Sequence, residues 1–267
     1  TRSSVQYTRE GLIVYPASTV SVIYDKNKMH QKHAMHHSDE VTCLAVHHRR
    51  GIVATSQRCD DDSVLVCVWS SETGDCARRL YCGNVKAISS IAFSPSGEYV
   101  AVACQDMIHS VIVFDWLNNV LKCRVAGGKD KVLNLAFSLA KDDFDASLRL
   151  LQGGVQHFNL MKIKGRQMSS KRGKYGPGVP KHNVLCSAAL PLTTPEGNEF
   201  VVGLSDGSVA FIAKGEKSLS GIATTHSKAL TAVACVQLTE GTAEENSTYK
   251  IVTGGADGFI KVHSAEM

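Results

Sequence analysis

A repeat constrains this chain more than any other feature. Short apolar runs, each opened by a polar or basic residue, recur as DEVTCLAVHH (39–48), KAISSIAFSP (86–95), DKVLNLAFSL (130–139), HNVLCSAALP (182–191) and KALTAVACVQ (228–237). Counted from Val41, Ile88, Val132, Val184 and Leu230, they stand 47, 44, 52 and 46 residues apart. A strand, a tight turn and another strand follow, as in EYVAVACQDMIHSVIVFD (98–115), EFVVGLSDGSVAFIA (199–213) and KIVTGGADGFIKVHS (250–264). Asp206-Gly207 and Asp257-Gly258 are hairpin signals, because Asp and Gly tolerate the positive φ that such turns require.

The ends of these second strands form another ladder: Tyr24-Asp25, Trp69-Ser70, Phe114-Asp115, Phe158-Asn159, Ile212-Ala213 and His263-Ser264, spaced by 45, 45, 44, 54 and 51. Two ladders with a period near 45 fit a four-stranded blade of about 40–45 residues. Helical repeats of this length would carry 3.6-residue apolar stripes, and none is present. The expected fold is therefore all-β, a WD40-type β-propeller with six recognisable blades, or seven with one incomplete, packed face to face around a channel. The first repeat starts inside its blade, near SSVQYTREGLIVY (3–15), and a ring can close if the N-terminal strand completes the last blade, which removes exposed edges. Residues 1–267 are read as one propeller, and a start at Thr1 in place of Met suggests a fragment of a longer protein.

Composition narrows the class. Hydrophobic residues make up 43% and charged residues 20%, an ordinary globular balance. No apolar run approaches the roughly 20 residues that span a bilayer, and no secretory signal pattern is visible. A net charge of +4 is too small to imply nucleic acid. The nine cysteines include no CxxC pair, and several sit in strand-like runs, as Cys43 does in VTCLAV and Cys104 in VAVACQ. That pattern argues for a reducing compartment over a disulfide scaffold.

The dipeptide ladder resembles the Trp-Asp signature of WD40 repeats in degenerate form. Only Trp69 keeps the tryptophan, with Ser70 in place of Asp, while Tyr24-Asp25 and Phe114-Asp115 keep the aromatic and the acid. The resemblance places the repeat-start histidine at His37 and His226 and the turn aspartate at Asp206 and Asp257. It implies a structural hydrogen-bonded network within each blade, incomplete where Ile212 and His263 replace the aromatic. Longer stretches are similar to the echinoderm microtubule-associated protein-like family, specifically the first propeller of its tandem propeller region. These are YTREGLIVYPASTVSVIYD (7–25), HSDEVTCLAVHHRRGIVATSQ (37–57), IAFSPSGEYVAVACQDMIHSVIVFDW (91–116), GKYGPGVPKHNVLCSAALPL (173–192) and IVTGGADGFIKV (251–262). The resemblance implies a cytoskeletal, microtubule-associated scaffold of the cytoplasm, often of cilia or flagella. Its partners would be tubulin in microtubules or another cytoskeletal protein, with no nucleic acid, membrane, cofactor or small-molecule ligand.

Several features invite a functional reading. Residues 161–182 contain Lys162, Lys164, Arg166, Lys171, Arg172, Lys174 and Lys181, with no Asp or Glu. Lys162, Lys164 and Arg166 alternate, which puts them on one face of a strand. This stretch reads either as an electrostatic dock for an acidic surface such as tubulin, or as a solvated edge that carries Lys to prevent aggregation. Phosphorylation of the adjacent Ser169 or Ser170 would weaken such a dock. The histidines His30, His33, His36, His37, His47 and His48 lack a zinc-ligand pattern, and Asp60, Asp61 and Asp62 lack the alternation of a calcium loop. No GxSxG, HExxH or kinase motif set occurs, so no enzyme is expected. The competing reading is a general WD40 adaptor recognising a peptide or protein subunit in trafficking, ubiquitin transfer or chromatin.

Overall fold

The structure, a computed structural model, describes residues 5–58, 64–139, 147–176, 179–191, 197–238 and 248–264. Asp60, Asp61 and Asp62 lie outside the described residues. Among the described residues every regular element except one 3-10 turn, His48–Arg50, is a β-strand.

The strands form successive antiparallel meanders. The first sheet holds β1 (Gln6–Tyr7), β2 (Ile13–Ala17), β3 (Val20–Asp25) and β4 (His30–Ala34). The second holds β5 (Val41–His47), β6 (Ile52–Gln57), β7 (Leu65–Ser70) and β8 (Cys76–Tyr81). The third holds β9 (Ile88–Phe93), β10 (Tyr99–Cys104), β11 (Val111–Asp115) and β12 (Val120–Val125). The fourth holds β13 (Val132–Phe137), β14 (Leu148–Gly154), β15 (His157–Lys164) and β16 (Gln167–Arg172). The fifth holds β17 (Val184–Ala189), β18 (Asn198–Leu204), β19 (Ser208–Ala213) and β20 (Ser220–Thr224). The sixth holds β21 (Leu230–Leu238), β22 (Thr248–Gly255) and β23 (Ile260–Ser264).

Sequence composition accounts for the position of each strand within its sheet. The middle strands are apolar at consecutive positions and buried on both faces, as in YVAVAC of β10, LVCVWS of β7 and NEFVVGL of β18. A run without alternation is what a strand covered on both sides requires. Fourth strands are more exposed, and two are also mostly polar, HQKHA of β4 and QMSSKR of β16. Each fully buried Val, Ile or Leu contributes about 1.5–3 kcal/mol relative to exposure.

The chain divides into two compact units, Thr1–Leu135 with Gly165–Met168, and Ala136–Lys164 with Ser169–Met267. In the first, one cluster joins Val14 and Ile23 to Leu44, Val53 and Trp69, and another joins Val66 and Val68 to Ile91, Val100 and Ile112. In the second, Phe158 packs with Phe200, Val202 and Ile212, and Val201 and Phe211 pack with Leu230 and Ile251.

Three sequence expectations meet the structure here. Val41, Ile88, Val132, Val184 and Leu230 are the first residues of β5, β9, β13, β17 and β21. Five of the six dipeptides end β3, β7, β11, β19 and β23, but Phe158-Asn159 lies near the start of β15, which ends on Ile163-Lys164. The third concerns the N-terminal strand: β1 pairs with β2, Gln6 opposite Val14 and Tyr7 opposite Ile13, in its own sheet. Its Gln6 side chain extends to the next sheet, where Oε1 accepts from the Val46 N–H at 2.9 Å.

The last sheet is unlike the others. Among the described residues it has three strands, and β23 is exposed along its length, with Ile260 at 78% and Val262 at 60%.

Candidate functional site

In three of the dipeptides the second residue shapes the turn to the outer strand. Asp25 Oδ1 accepts from the N–H groups of Asn27 (2.9 Å) and Lys28 (3.1 Å), and Asp115 Oδ1 accepts from Asn118 N–H at 3.1 Å. Ser70 Oγ accepts from Glu72 and Thr73 N–H, both at 3.3 Å, so serine preserves the local cap that aspartate supplies elsewhere.

In the second sheet the first residue of the dipeptide anchors a buried relay. The Trp69 indole N–H donates to Thr55 Oγ1 at 3.0 Å. The Thr55 hydroxyl lies 2.7 Å from His37 Nε2, and His37 Nδ1 lies 3.0 Å from Gln57 Oε1. Each group is satisfied if His37 carries its proton on Nδ1, since Gln57 Oε1 can only accept. Burial pushes the His37 imidazole down to about 4, against the upward pull of the Gln57 hydrogen bond. His37 therefore folds neutral. The unfolded chain takes up this proton near 6.5 and the folded chain only near 4, so the unfolded state binds more protons between those values. Stability is expected to fall by up to roughly 3 kcal/mol as pH drops through this window. Urea midpoints at the two ends of the window test this. His37→Gln should flatten the difference, and an unchanged slope would assign the acid sensitivity to another group.

The sixth sheet builds a second relay. His226 Nδ1 lies 3.0 Å from Asp257 Oδ1, and His226 Nε2 lies 2.9 Å from Thr253 Oγ1. His263 Nε2 then lies 2.9 Å from the same hydroxyl. His263 pairs with Ile251 as Trp69 pairs with Val53, so the two rings occupy equivalent register positions. The expectation that His263 breaks the network is thus corrected: an imidazole N–H takes over from the indole N–H as donor to threonine. Burial raises the Asp257 carboxyl, but hydrogen bonds from His226, Phe259 N–H and Ser227 N–H outweigh it and hold the group at about 2. At Ile212 the replacement is different. Val202 stands where Thr55 and Thr253 stand, and the position is filled by apolar packing. Asp206 works locally, accepting from the Ser208 N–H and hydroxyl at 3.0 Å each, with His182 Nε2 at 3.3 Å.

Two residues of the basic stretch, Lys162 and Lys171, line a cleft in the second unit. On β15, Met161 and Ile163 are buried while Lys162 and Lys164 are exposed. Arg166 lies in the following turn, outside the strand; Ser169, Ser170, Lys171 and Arg172 are exposed on β16. The chain then runs alongside the fifth sheet. Lys174 N–H donates to Lys217 O at 2.7 Å and Leu219 N–H to Lys174 O at 3.0 Å, forming a parallel bridge. Tyr175 is buried edge-on against Phe158 and donates to His182 O at 2.7 Å, which fixes the loop approaching the exposed Lys181. The cleft, about 190 Å³, is lined by Leu160, Met161, Lys162, Ser169, Lys171 and Lys217, with Arg149, Glu199, Gly215 and Glu216. At its base Arg149 Nη1 pairs with Glu199 Oε2 at 2.7 Å. Arg149, Glu199 and Lys217 lie far from the basic stretch in sequence, and no local pattern marks them.

Among the described residues no group of three or more His, Cys, Asp or Glu side chains could hold a metal ion. His36, from the histidine-rich segment, instead bonds Gly74 O at 2.7 Å and packs on Trp69. Among the described residues no helix is long and apolar enough to cross a membrane.

The geometry can now be set beside known proteins. A family model described as "WD domain, G-beta repeat" matches residues 74–109. The crystal structure of the computationally designed Ika8 protein superposes with a TM-score of 0.67 at 19% identity, over 98% of this chain and 70% of that one. The chain is a six-bladed WD40-type β-propeller. Each of the six sheets described above is one blade. The propeller is 24% identical to the ciliary WD repeat-containing protein ctxp80 of Euplotoides octocarinatus, over 97% of this chain and 35% of that protein. It is 27% identical to echinoderm microtubule-associated protein-like 2 of Mus musculus, over 80% of this chain and 33% of that protein. For the rat echinoderm microtubule-associated protein-like 1 (Rattus norvegicus) the identity is 25%, over 82% and 27%. The propeller spans about a third of the length of these curated relatives.

Proposed function

We propose that this propeller is a non-enzymatic scaffold of the cytoskeleton, and that it docks on tubulin in microtubules or on an axonemal protein. The carrying observation is its similarity, along 80–97% of its length, to proteins named for microtubules and cilia. A cytoplasmic, cytoskeletal setting, including the cilium or flagellum, belongs to the same reading. The exposed cations Lys162, Lys164, Lys171, Arg172, Lys174 and Lys181 supply the electrostatic face that an acidic partner would meet.

The non-enzymatic part draws on how the reactive groups are used. The buried imidazoles of His37, His47, His157 and His226 each have both ring nitrogens engaged by structural partners. Burial pushes the thiols of Cys43 and Cys123 up to about 11, so neither supplies a thiolate at neutral pH.

Co-pelleting with polymerised tubulin tests the proposal. The propeller is expected to pellet at low ionic strength and to be partly released near 0.15 M salt, where the screening length is about 8 Å. Failure to pellet at low ionic strength would overturn direct docking.

A further inference from the structure

Two pairs of thiols interact within the first unit. Cys82 and Cys104 share the apolar cluster of Val66, Val100 and Ile112, and both are buried away from solvent. Cys67 and Cys76 are placed differently. Cys67 lies within β7 and is fully buried, whereas Cys76 opens the outer strand β8 and is half-buried. Strand register puts both on one face. Cys76 pairs with Trp69, and Cys67 stands two residues before Trp69 on the same strand, so the three side chains point to the same side. All three belong to the cluster of Val14, Val53 and Leu65. A bulge gives the pair room to close: between the pairs Val68–Arg78 and Trp69–Cys76, β8 carries one unpaired residue, Ala77. Such an extra residue bends its strand and disrupts the ladder beside it. Their reactivities are also ordered. Burial pushes the Cys67 thiol up to about 12, and the neighbouring Cys76 sulfur adds to the rise against the pull of Arg79. Cys67 therefore carries little thiolate, and an oxidant from solvent meets Cys76 first.

We propose that Cys67 and Cys76 are a redox modification site in the second blade, joined by hydrogen peroxide into a reversible cross-strand disulfide. The Cys76 sulfur attacks one peroxide oxygen, the O–O bond breaks, and a sulfenic acid and one water result. The Cys67 sulfur then attacks the Cys76 sulfur. The S–O bond breaks as the S–S bond forms, and the departing hydroxide takes the Cys67 proton to leave as a second water. In sum, two thiols give up two electrons and two protons, and one peroxide is reduced to two waters. A thiol such as glutathione restores the pair by exchange. The bridge ties the start of β8 to β7 beside the Trp69–Thr55–His37 relay and across the turn that Ser70 caps. It does not depend on what the propeller binds.

The test treats the full chain with hydrogen peroxide, blocks the remaining thiols with iodoacetamide and maps disulfides by mass spectrometry without reduction. Glu72 separates the two cysteines, so cleavage after arginine and glutamate places Cys67 in peptide 59–72 and Cys76 in peptide 73–78. Peroxide should raise the bridged form of these two peptides by about ten-fold, and dithiothreitol should abolish it. Peptide 59–72 also contains Cys59, so the bridge should persist in Cys59→Ser and vanish in Cys67→Ser. In Cys67→Ser the Cys76 sulfenic acid has no thiol to condense with, and dimedone should capture about ten-fold more of it than in wild type. Should Cys67→Ser fold poorly by circular dichroism, Cys67→Ala is read instead, since it keeps the position apolar. Cys82 and Cys104, closed to solvent, should stay reduced and serve as the internal control. Cys67 and Cys76 both remaining reduced in folded, peroxide-treated protein would overturn the site. So would a bridge retained in a folded Cys67 variant, or oxidation confined to Cys82 and Cys104.

Discussion

Trp69→Ala is expected to destabilise the propeller by about 3–5 kcal/mol, the range for deleting a buried aromatic. Trp69 is fully buried, lies in the cluster with Val14, Val53 and Leu65, and packs against the His36 ring at 6.0 Å. Its loss opens a void and also removes the donor that holds the Thr55 hydroxyl toward His37. Trp69→Phe separates the two effects, since it keeps most of the ring volume and loses the N–H. It should cost about 1–2 kcal/mol. Urea unfolding followed by circular dichroism measures both, with each transition fitted separately if the two compact units unfold apart. A cost for Trp69→Ala below about 1 kcal/mol would mean that the site collapses around the missing ring and that the relay carries little stability.

Gly207→Ala should be comparably severe, at about 3 kcal/mol or more. Gly207 has φ +91°, and a Cβ there would stand 2.2 Å from His226 O and 2.6 Å from Lys228 O. Those obstacles are backbone. They are also fixed, because Gly207 O accepts from the N–H groups of Thr225 (3.2 Å) and His226 (3.0 Å). The strand-to-strand turn of the fifth blade is thereby pressed against the entry of the sixth. Gly258→Ala is the control. Its φ is +86° but nothing lies within 4 Å of its Cβ position, so only the left-handed conformation is penalised, by about 1–2 kcal/mol. Equal losses in thermal or urea stability for the two variants would show that close packing at Gly207 is not what makes it glycine.

That pair shows how far the sequence could be read. Asp206-Gly207 and Asp257-Gly258 are identical as hairpin signals, and both are turns; the chain passing over one of them is a long-range fact that no dipeptide carries. The blade rhythm was legible because each inner strand opens with an apolar run after a polar residue, and Val41, Ile88, Val132, Val184 and Leu230 start their strands. The dipeptide ladder misplaced one rung because β15 ends on Ile163-Lys164, without an aromatic, while Phe158-Asn159 imitates the pattern nearer its start. His37, Trp69, His226 and Asp257 could be picked out as network residues, but Thr55, Gln57, Thr253 and His263 could not. Their distances from the histidine differ between the blades: Gln57 follows His37 by 20 residues and Asp257 follows His226 by 31. Strand register makes Thr55 and Thr253 equivalent, but the counterpart of Gln57 is Gly255, and Asp257 reaches His226 from the turn beyond β22. The cleft was half legible. Lys162 and Lys171 belong to an acid-free run, whereas Arg149 comes to it by pairing opposite Lys162 within the fourth blade, and Glu199 and Lys217 come from the fifth.

The sixth blade has a consequence for how this polypeptide behaves in solution. Along β23 the outward row of N–H and C=O groups is flanked by exposed Phe259, Ile260 and Val262, with Lys261 the single cation inside the strand. Two other outer strands carry adjacent charges, β8 with Arg78 and Arg79 and β16 with Lys171 and Arg172. An apolar edge with so little charge is a template for strand addition. Self-association of this polypeptide is therefore expected at that edge and should rise with protein concentration. High salt should intensify it, because screening removes the little repulsion that Lys261 provides while leaving hydrogen bonding and apolar contact intact.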